Sequence, residues 1–297
     1  MRLWKGHGLG NDYIVADAAA LPWALTPARI RAICDRHRGV GSDGILLADV
    51  AVTPFHLRIF NPDGTEAEKS GNGLRIFAAW LYGQALVAGE PFRVRLKKDQ
   101  VTLQVLGELG GGSLDIVADM GPASFAGEAA GFAPEAGVAL GHRIPVGDEV
   151  LAVNPVSLGN PHCVVFVDAL RRDEFLRRGP LLATHAAFPA GTNVQFARAV
   201  APDRVEAWIW ERGAGETLAS GSSACAVAAT AVRLGHARPG EITVAMPGGD
   251  ALVRVSADYQ LRLRAPAQIV FSCEVEELVS ESWGKAWPLD GEGGRAG

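Results

Sequence analysis

The sequence predicts an α+β protein made of two pseudo-symmetric domains, each a mixed, barrel-like β-sheet wrapped around a central buried helix. Three observations lead to this fold class. The chain has 297 residues, enough for two domains. It repeats itself at an offset near 150 residues, and each copy holds one segment that is apolar on nearly every side. The expected boundaries are 1–125 with a closing segment 266–280 for the first domain, 126–265 for the second, and 281–297 for a flexible tail.

The internal repeat is carried by six landmarks that return in one order and at nearly one spacing. The matched pairs are Gly8–Asn11 with Ser157–Asn160, Gly41–Asp43 with Gly191–Asn193, Ile59–Gly64 with Ile209–Gly213, Ser70–Gly71 with Ser220–Gly221, Phe92–Leu96 with Ile242–Met246, and Val101–Leu106 with Ala251–Ser256. Chance rarely produces such an order, and solenoid repeats have periods of only about 20 to 50 residues. The repeat therefore indicates two homologous domains.

The predicted elements within each half are strands, a helix and a β-meander. Thr26 followed by Pro27 is an N-cap with proline at the first helical position, which predicts a helix beginning there. The segments Gly73–Leu81 and Ala224–Val232 are apolar almost all round, which is typical of helices that are buried on most sides. Three strand-like stretches separated by turn residues follow each of them.

The composition excludes several classes of partner. A net charge of -5 without basic clusters argues against a nucleic-acid surface. No apolar run approaches the roughly 18 residues of a membrane span, and no signal-like segment opens the chain, so we expect a cytoplasmic protein. The four cysteines are widely spaced without a C-x-x-C pair, so we expect neither a metal site nor disulfides.

Both predicted central helices begin at a Ser-Gly pair, Ser70-Gly71 and Ser220-Gly221. A helix start has free backbone N–H groups and the positive end of the helix dipole, so it attracts a carboxylate. Glycine there lets a ligand approach the backbone closely. The alternative is that these pairs are ordinary N-caps, where Ser and Gly are common. Their recurrence in both copies of the repeat favours a ligand site.

A pseudo-two-fold arrangement of the halves would put one serine hydroxyl on each side of a shared cleft. Inverting a carbon centre requires removing a proton from one face and returning one to the other, so this geometry suits stereoinversion. The repeated loops also contain amide side chains that could hold ammonium and carboxylate groups, although each alone is equally a turn residue. These are Asn11, Asn61, Asn72, Asn160 and Asn193. Arg212 could clamp a carboxylate beside Glu211, or the two could form a surface ion pair.

The motifs around these residues resemble the diaminopimelate epimerase family, which serves lysine and peptidoglycan precursor synthesis. The resemblance covers about residues 1–275 and is carried by His7–Asp12, Asp35–His37, Gly41–Gly44, Asn61–Glu68, Gly71–Gly73, Gly159–His162, Asn193–Val194 and Trp210–Ala219. It implies two barrel-like domains with a cleft between them and an amino-acid epimerase or racemase that uses neither metal nor pyridoxal phosphate. By position, it implies that the substrate contacts Asn11, Asn61, Asn160, Asn193, Glu211 and Arg212. It also implies that Gly71, Asn72, Gly221 and Ser222 receive a carboxylate, and that His162 and Glu211 support the catalytic pair.

The departure from the family lies at the catalytic pair itself, because the resemblance implies cysteines where this chain has Ser70 and Ser220. A thiol has a pKa of about 8.5 and a hydroxyl one near the roughly 15.7 of water. At ~1.36 kcal/mol per pKa unit, that gap makes a serine base on the order of 10 kcal/mol more costly to form. We therefore expect weak activity unless a partner such as His162 or Glu211 activates the serines.

Three hypotheses about the function of the chain follow from that departure. It is an epimerase acting on a small-molecule amino acid, LL- and meso-diaminopimelate by resemblance. Alternatively, it is a paralogue that binds such a compound without inverting it, or isomerises or dehydrates it with Glu211 or His162 as base. Finally, it is a form with both cysteines replaced deliberately. The sequence leaves a monomer and a homodimer open.

Overall fold

A computed structural model describes residues 1–134 and 137–275. The expected tail, 281–297, and the end of the expected closing segment, 276–280, lie outside the described residues. The helices within the described part are α1 (Pro27–Cys34), α2 (Gly71–Gly83), α3 (Arg172–Ala183) and α4 (Gly221–Arg233). A membrane crossing needs a longer apolar helix than any found in these residues.

The strands of the first half are β1 (Arg2–Gly8), β2 (Asn11–Asp17), β3 (Ile45–Asp49), β4 (Phe55–Phe60), β5 (Glu66–Ala67), β6 (Phe92–Arg95), β7 (Gln100–Gly110) and β8 (Ser113–Pro122). Those that follow are β9 (His142–Val146), β10 (Glu149–Ser157), β11 (Pro161–Phe166), β12 (Asn193–Ala201), β13 (Arg204–Glu211), β14 (Gly215–Thr217), β15 (Gly240–Met246), β16 (Gly249–Val255) and β17 (Gln260–Glu274).

The two halves have the same strand topology. In the first, β2 lies parallel to β3, β3 antiparallel to β4, and β4 parallel to β6, after which β6, β7 and β8 form an antiparallel meander. In the second, β11, β12, β13, β15, β16 and β17 repeat these relations in the same order. Strand β9 is an addition, paired with β10. The predicted α+β fold with an internal repeat is therefore confirmed.

The halves are joined by strands that pair across the repeat. Strand β17 runs antiparallel to β8 and, further along, to β1, so the last strand of the second half pairs with the first strand of the first half. The reciprocal contact is a bridge between Ser124, just after β8, and Ser157 at the end of β10. The sheet is thus continuous through the junction, and the division into domains at 125/126 stays a prediction.

The central helices are buried as their composition predicts. The residues of α2 from Gly71 to Leu81 and of α4 from Gly221 to Ala231 are all buried. Their apolar side chains belong to one core that extends through both halves. Each fully buried large side chain contributes about 1.5 to 3 kcal/mol relative to exposure, so this shared core is the main force holding the halves together.

A smaller core lies under the outer helix of each half. In the first half, Thr26 caps α1 as predicted, and Ile30 and Ile33 of α1 face β2 and β3. In the second half, Phe175 of α3 packs edge-on against Phe196 and Trp208, with ring centroids 5.9 and 5.6 Å apart. These outer cores fix the strands whose ends carry the polar loops described next.

Candidate active site

The starts of α2 and α4 are in direct contact. A Cβ atom built on Gly71 would lie 2.9 Å from Gly221 Cα, and one built on Gly221 would lie 2.9 Å from Gly71 Cα. Real Cβ atoms do not approach backbone atoms so closely, so both positions require glycine. Ser70 and Ser220, the N-cap residues of the two helices, are thereby brought to the same junction.

Ser70 has two hydrogen-bond partners. Its Oγ accepts the N–H of Gly73 at 3.0 Å, which caps α2. The hydroxyl group of Tyr13 lies 3.2 Å from the same oxygen. Tyr13 is buried, and this burial raises the pKa of its phenol, with Glu211 and Asp43 adding to the effect as nearby negative charges. Ser70 therefore lies between a backbone N–H and an un-ionised phenol.

Ser220 has a different environment. Within the described residues its side chain accepts no N–H from α4, and its hydroxyl instead hydrogen-bonds to the carboxylate of Glu211. Burial raises the pKa of Glu211, and the hydrogen bond from Ser220 only partly opposes that shift. Glu211 is thus a carboxylate of enhanced basicity in contact with a buried hydroxyl, the arrangement by which a base activates a serine.

His162 is completely buried and bonds to amides rather than to either serine. Gln195 Nε2 donates to His162 Nδ1 at 3.0 Å, and His162 Nε2 donates to Asn160 Oδ1 at 3.1 Å. Gln195 Nε2 also donates to Ser223 Oγ at 2.9 Å. Burial, with a smaller effect of the positive charge of Arg212, lowers the pKa of His162 to about 3. The imidazole is therefore neutral at physiological pH, and it is Glu211 rather than His162 that contacts Ser220.

Asn72 links the two halves through its side chain. Its Nδ2 donates to Asn11 Oδ1 at 2.9 Å and to the carbonyl of Ala219 at 3.0 Å. Its Oδ1 accepts Arg75 Nη2 at 2.6 Å. Since Asn11 Nδ2 in turn donates to Asp43 at 2.8 Å, these residues form one buried network. A ligand at this helix start would meet the backbone N–H of Asn72 more readily than its amide, and Ser222 is buried at the same position of α4.

Of the other polar residues predicted from the sequence, Asn61 lies in the first half, and Asn193 and Arg212 lie in the second. Asn61 Nδ2 donates to Thr65 Oγ1 at 2.9 Å in the first half. In the second half, Asn193 accepts the backbone N–H of Arg212 at 3.1 Å, and the Arg212 guanidinium donates to the carbonyl of Ala190 at 2.9 Å. Arg212 is exposed and has no ion-pair partner in the parts of the chain that the structure describes.

Arg75, which the sequence analysis did not identify, lies beneath the junction. It is completely buried, and its guanidinium donates to the carbonyl of Gly71 at 3.1 Å as well as to Asn72. A Cβ on Gly221 would lie 3.1 Å from its Nη1. Burial lowers its pKa to about 10, so it stays cationic at neutral pH, and no carboxylate of the described residues pairs with it. A buried positive charge thus adds to the two helix dipoles.

The described residues hold no group of three or more His, Cys, Asp or Glu side chains placed to bind a metal ion. The four cysteines are free, and Cys34, Cys163 and Cys225 are buried. The groups that meet at the junction are two serines, one carboxylate, one phenol, the buried Arg75 guanidinium and the N–H groups of two helix starts.

Comparison with known proteins gives a consistent result. The diaminopimelate epimerase family profile matches residues 3–126 and 155–269. Diaminopimelate epimerase 2 of Nostoc sp. is 40% identical over 265 residues, covering 89% of this chain and 91% of the relative. The diaminopimelate epimerase of Pelotomaculum thermopropionicum is 37% identical over 278 residues, covering 92% and 98%.

Solved structures share the fold at low sequence identity. A predicted epimerase from Pseudomonas aeruginosa superposes with a TM-score of 0.68 at 22% identity, covering 92% of this chain and 98% of its own. A hydroxyproline epimerase from Agrobacterium vitis superposes with a TM-score of 0.70 at 16% identity, covering 96% and 97%. At this identity the likeness concerns the fold alone.

Proposed function

The chain belongs to the diaminopimelate epimerase family, and from that premise we propose that it interconverts the stereoisomers of an α-amino acid without a cofactor. The names of the relatives make LL- and meso-diaminopimelate the first substrates to test. The observation that carries the proposal is the contact of the two helix starts at Gly71 and Gly221, with a serine hydroxyl preceding each. We further propose that the protein acts in the cytoplasm, as a monomer or a homodimer.

The substrate carboxylate would lie on the helix starts. The first turns of both helices meet there, and the buried charge of Arg75 adds to the positive ends of their dipoles. When the α-proton leaves, negative charge spreads from the α-carbon onto that carboxylate. Fixed positive groups therefore stabilise the carbanion more than the ground state, which is the requirement for catalysis.

Proton transfer would use one serine on each face of the α-carbon. On the Ser220 side, the hydroxyl could pass its own proton to Glu211 as it takes the α-proton. This relay lowers the free energy needed to use a hydroxyl as a base but does not remove the disadvantage, because the pKa of a hydroxyl is about seven units above that of a thiol. We expect turnover of diaminopimelate to be slow compared with a site containing two thiols.

A second function is favoured by the hydrogen bond between Glu211 and Ser220. A partly desolvated carboxylate with a raised pKa can itself remove a proton next to a carbonyl group, and return it elsewhere on the molecule. The protein would then isomerise or dehydrate a small amino or hydroxy acid. Such a reaction changes the connectivity of the substrate, whereas epimerisation changes only its configuration.

The test is incorporation of deuterium from D2O into the α-position of LL- and meso-diaminopimelate, followed by NMR spectroscopy and chiral chromatography. Epimerisation predicts incorporation together with appearance of the other stereoisomer. Tight binding by calorimetry without incorporation would mean that the chain only binds the amino acid. Neither binding nor incorporation with any of a broad amino-acid panel would overturn the proposal.

A further inference from the structure

We propose that Tyr13 is the positioning residue of the Ser70 side, donating its hydroxyl proton to Ser70 Oγ so that the two faces of the site work with different chemistry. A phenol supports the hydroxyl on one face, and the carboxylate of Glu211 supports the hydroxyl on the other. This inference rests on the proposed function and assigns separate roles to the two serines.

The position of Tyr13 is fixed by packing. The residue is only 7% exposed, and its hydroxyl lies 3.2 Å from Ser70 Oγ. A Cβ atom on Gly44 would lie 2.6 Å from Tyr13 Cε1 and 2.4 Å from the carbonyl of Phe60, so the ring occupies space that only a glycine leaves free. Because Ser70 Oγ is the acceptor that the described residues provide, a buried tyrosine in this place directs its proton at Ser70.

The internal repeat shows that this contact has no counterpart on the other side. At the offset of 150 residues, Cys163 replaces Tyr13, and its thiol is completely buried. The same offset replaces Glu211 by Asn61, whose amide bonds to Thr65 and cannot ionise. Ser70 is therefore the serine next to a phenol, and Ser220 the serine next to a carboxylate. Tyr13 and Glu211 come from different positions of the repeat.

The backbone adds to this difference. Ser70 Oγ accepts the N–H of Gly73, whereas the residue at the matching position of α4 is Ser223, whose hydroxyl accepts from Gln195. The oxygen of Ser70 thus faces two donors, and the oxygen of Ser220 faces an acceptor. Donors stabilise an alkoxide, and an acceptor takes up a proton.

The proton balance of one inversion follows from these partners. On one face the Cα–H bond breaks, its proton goes to Ser220 Oγ, and the proton of Ser220 goes to Glu211. On the other face the Ser70 O–H proton forms the new Cα–H bond, and the electron pair left on Ser70 Oγ is stabilised by the Tyr13 O–H and the Gly73 N–H. After the product leaves, Glu211 loses its extra proton to solvent and Ser70 regains one. The reverse reaction uses the same groups in the opposite order.

A thiol introduced at either serine position measures its surroundings without any need for turnover. In full-length Ser70→Cys, the thiol pKa is read from the pH dependence of iodoacetamide labelling of that peptide, with and without Tyr13→Phe. We expect Tyr13→Phe to raise this thiol pKa by about one unit, because a donor to the thiolate is lost. The thiol of Ser220→Cys should not respond to Tyr13→Phe, but its pKa should fall with Glu211→Gln. The matched control is Tyr82→Phe at the far end of α2, which should change neither thiol.

An unchanged pKa at position 70, or equal shifts at both positions, would overturn the inference, because a general structural effect of Tyr13 moves both thiols. A shift confined to position 70 supports it even in a chain that exchanges no α-proton, an outcome that would refute the proposed function alone. Where exchange is measurable, Tyr13→Phe should slow exchange of one stereoisomer more than the other and should have little effect in a Ser70→Ala background.

Discussion

The Ser70 and Ser220 sides of the junction have the same backbone and different chemistry. Each serine occupies the N-cap position of a buried helix of 13 residues, follows a short strand, and precedes a glycine that touches the other helix. Around one serine the donors are a phenol and a backbone N–H, and around the other the partner is a carboxylate. Duplication of a fold thus fixes where reactive groups stand, while side chains from neighbouring strands decide what each can do.

Replacing both serine hydroxyls with thiols should change the activity more than any other substitution at the junction. Ser70→Cys combined with Ser220→Cys lowers the intrinsic pKa on both faces by about seven units, and the helix dipoles favour thiolates further. We expect α-proton exchange of diaminopimelate to rise on the order of a hundredfold or more, measured by deuterium incorporation.

The two single variants provide the control. Each should speed exchange on one face without a matching gain in inversion, because the other face still lacks an effective acid or base. If the double variant were no faster than the parent chain, the low acidity of the serines would not be what limits this site. If the parent already turned over at ordinary enzymatic rates, replacing Glu211 by Gln should abolish that turnover.

The contact between the two helix starts, which both sides share, can be tested by adding a methyl group at either glycine. Gly71→Ala and Gly221→Ala each place a Cβ 2.9 Å from the Cα of the opposite glycine. Such overpacking costs about 1 to 3 kcal/mol. Gly221→Ala should lose more than Gly71→Ala, because its Cβ would also lie 2.7 Å from Leu263 Cδ2, against 3.2 Å for the Cβ on Gly71. Denaturant unfolding measures the loss. Gly83→Ala at the other end of α2 is the control, since a Cβ there meets nothing within 4 Å. No loss of stability in either variant would contradict the close contact of the two helix starts.

The sequence predicts the shared geometry better than the chemistry. The repeat, the buried helices and the Ser-Gly starts depend on local patterns of apolar, turn and capping residues, which remain visible in the chain. The contacts that distinguish the two sides depend on long-range packing. Tyr13 occupies an ordinary strand position, 57 residues before Ser70 in the chain. Nothing local to that strand shows that its hydroxyl meets the cap of a distant helix.

Packing also changes how two other residues are interpreted. Asn72 is predicted to meet a ligand, yet its side chain is engaged by Asn11, Ala219 and Arg75. The one signal for Arg75 in the sequence is an arginine within an apolar helix. The sequence alone does not distinguish a surface position from a buried one for such a residue, because a long arginine side chain can extend to solvent.

Equivalent residues of the two halves should affect the acid dependence of the unfolding free energy differently. The β2–β3 and β11–β12 pairings place Asp12 and His162 at equivalent positions. Burial tends to raise the pKa of Asp12, but hydrogen bonds from Arg36 and Lys5 outweigh this and lower it to about 2. The pKa of His162 is lowered from 6.5 to about 3, mainly by burial. The two groups therefore lose their stabilising contributions in different ranges of pH.

The sign is the same for both residues, because each binds fewer protons in the folded than in the unfolded chain. The contribution of His162 is complete above pH 6.5 and is lost as pH falls toward about 3. That of Asp12 is complete above pH 3.8 and is lost as pH falls toward about 2. By linkage, the stability lost through His162 when the pH has fallen to 5 is on the order of 2 kcal/mol. His162→Gln should therefore flatten the fall in unfolding free energy between pH 6.5 and 4, and Asp12→Asn should leave that range unchanged. Parallel curves for the parent and His162→Gln would contradict the burial of a neutral imidazole.

The smallest effect is expected at Arg212, where the second half carries an exposed guanidinium and the matching position of the first half is Pro62. The Arg212 guanidinium bonds to the carbonyl of Ala190, and its backbone N–H bonds to Asn193, so the side chain is held near the site without being buried in it. A charge-assisted bond to a substrate carboxylate from such a position is worth about 1 to 2 kcal/mol, less than a fully desolvated pair. Arg212→Ala should weaken binding of diaminopimelate roughly tenfold by calorimetry. The affinity that remains should depend less on salt concentration, because the exposed charge that salt screens is gone.

Arg254→Ala, which removes another exposed arginine from β16, is the control for net charge. Equal affinities for both variants and the parent would show that the two halves bind the substrate without this guanidinium, and the difference between them would then lie in the serine partners alone.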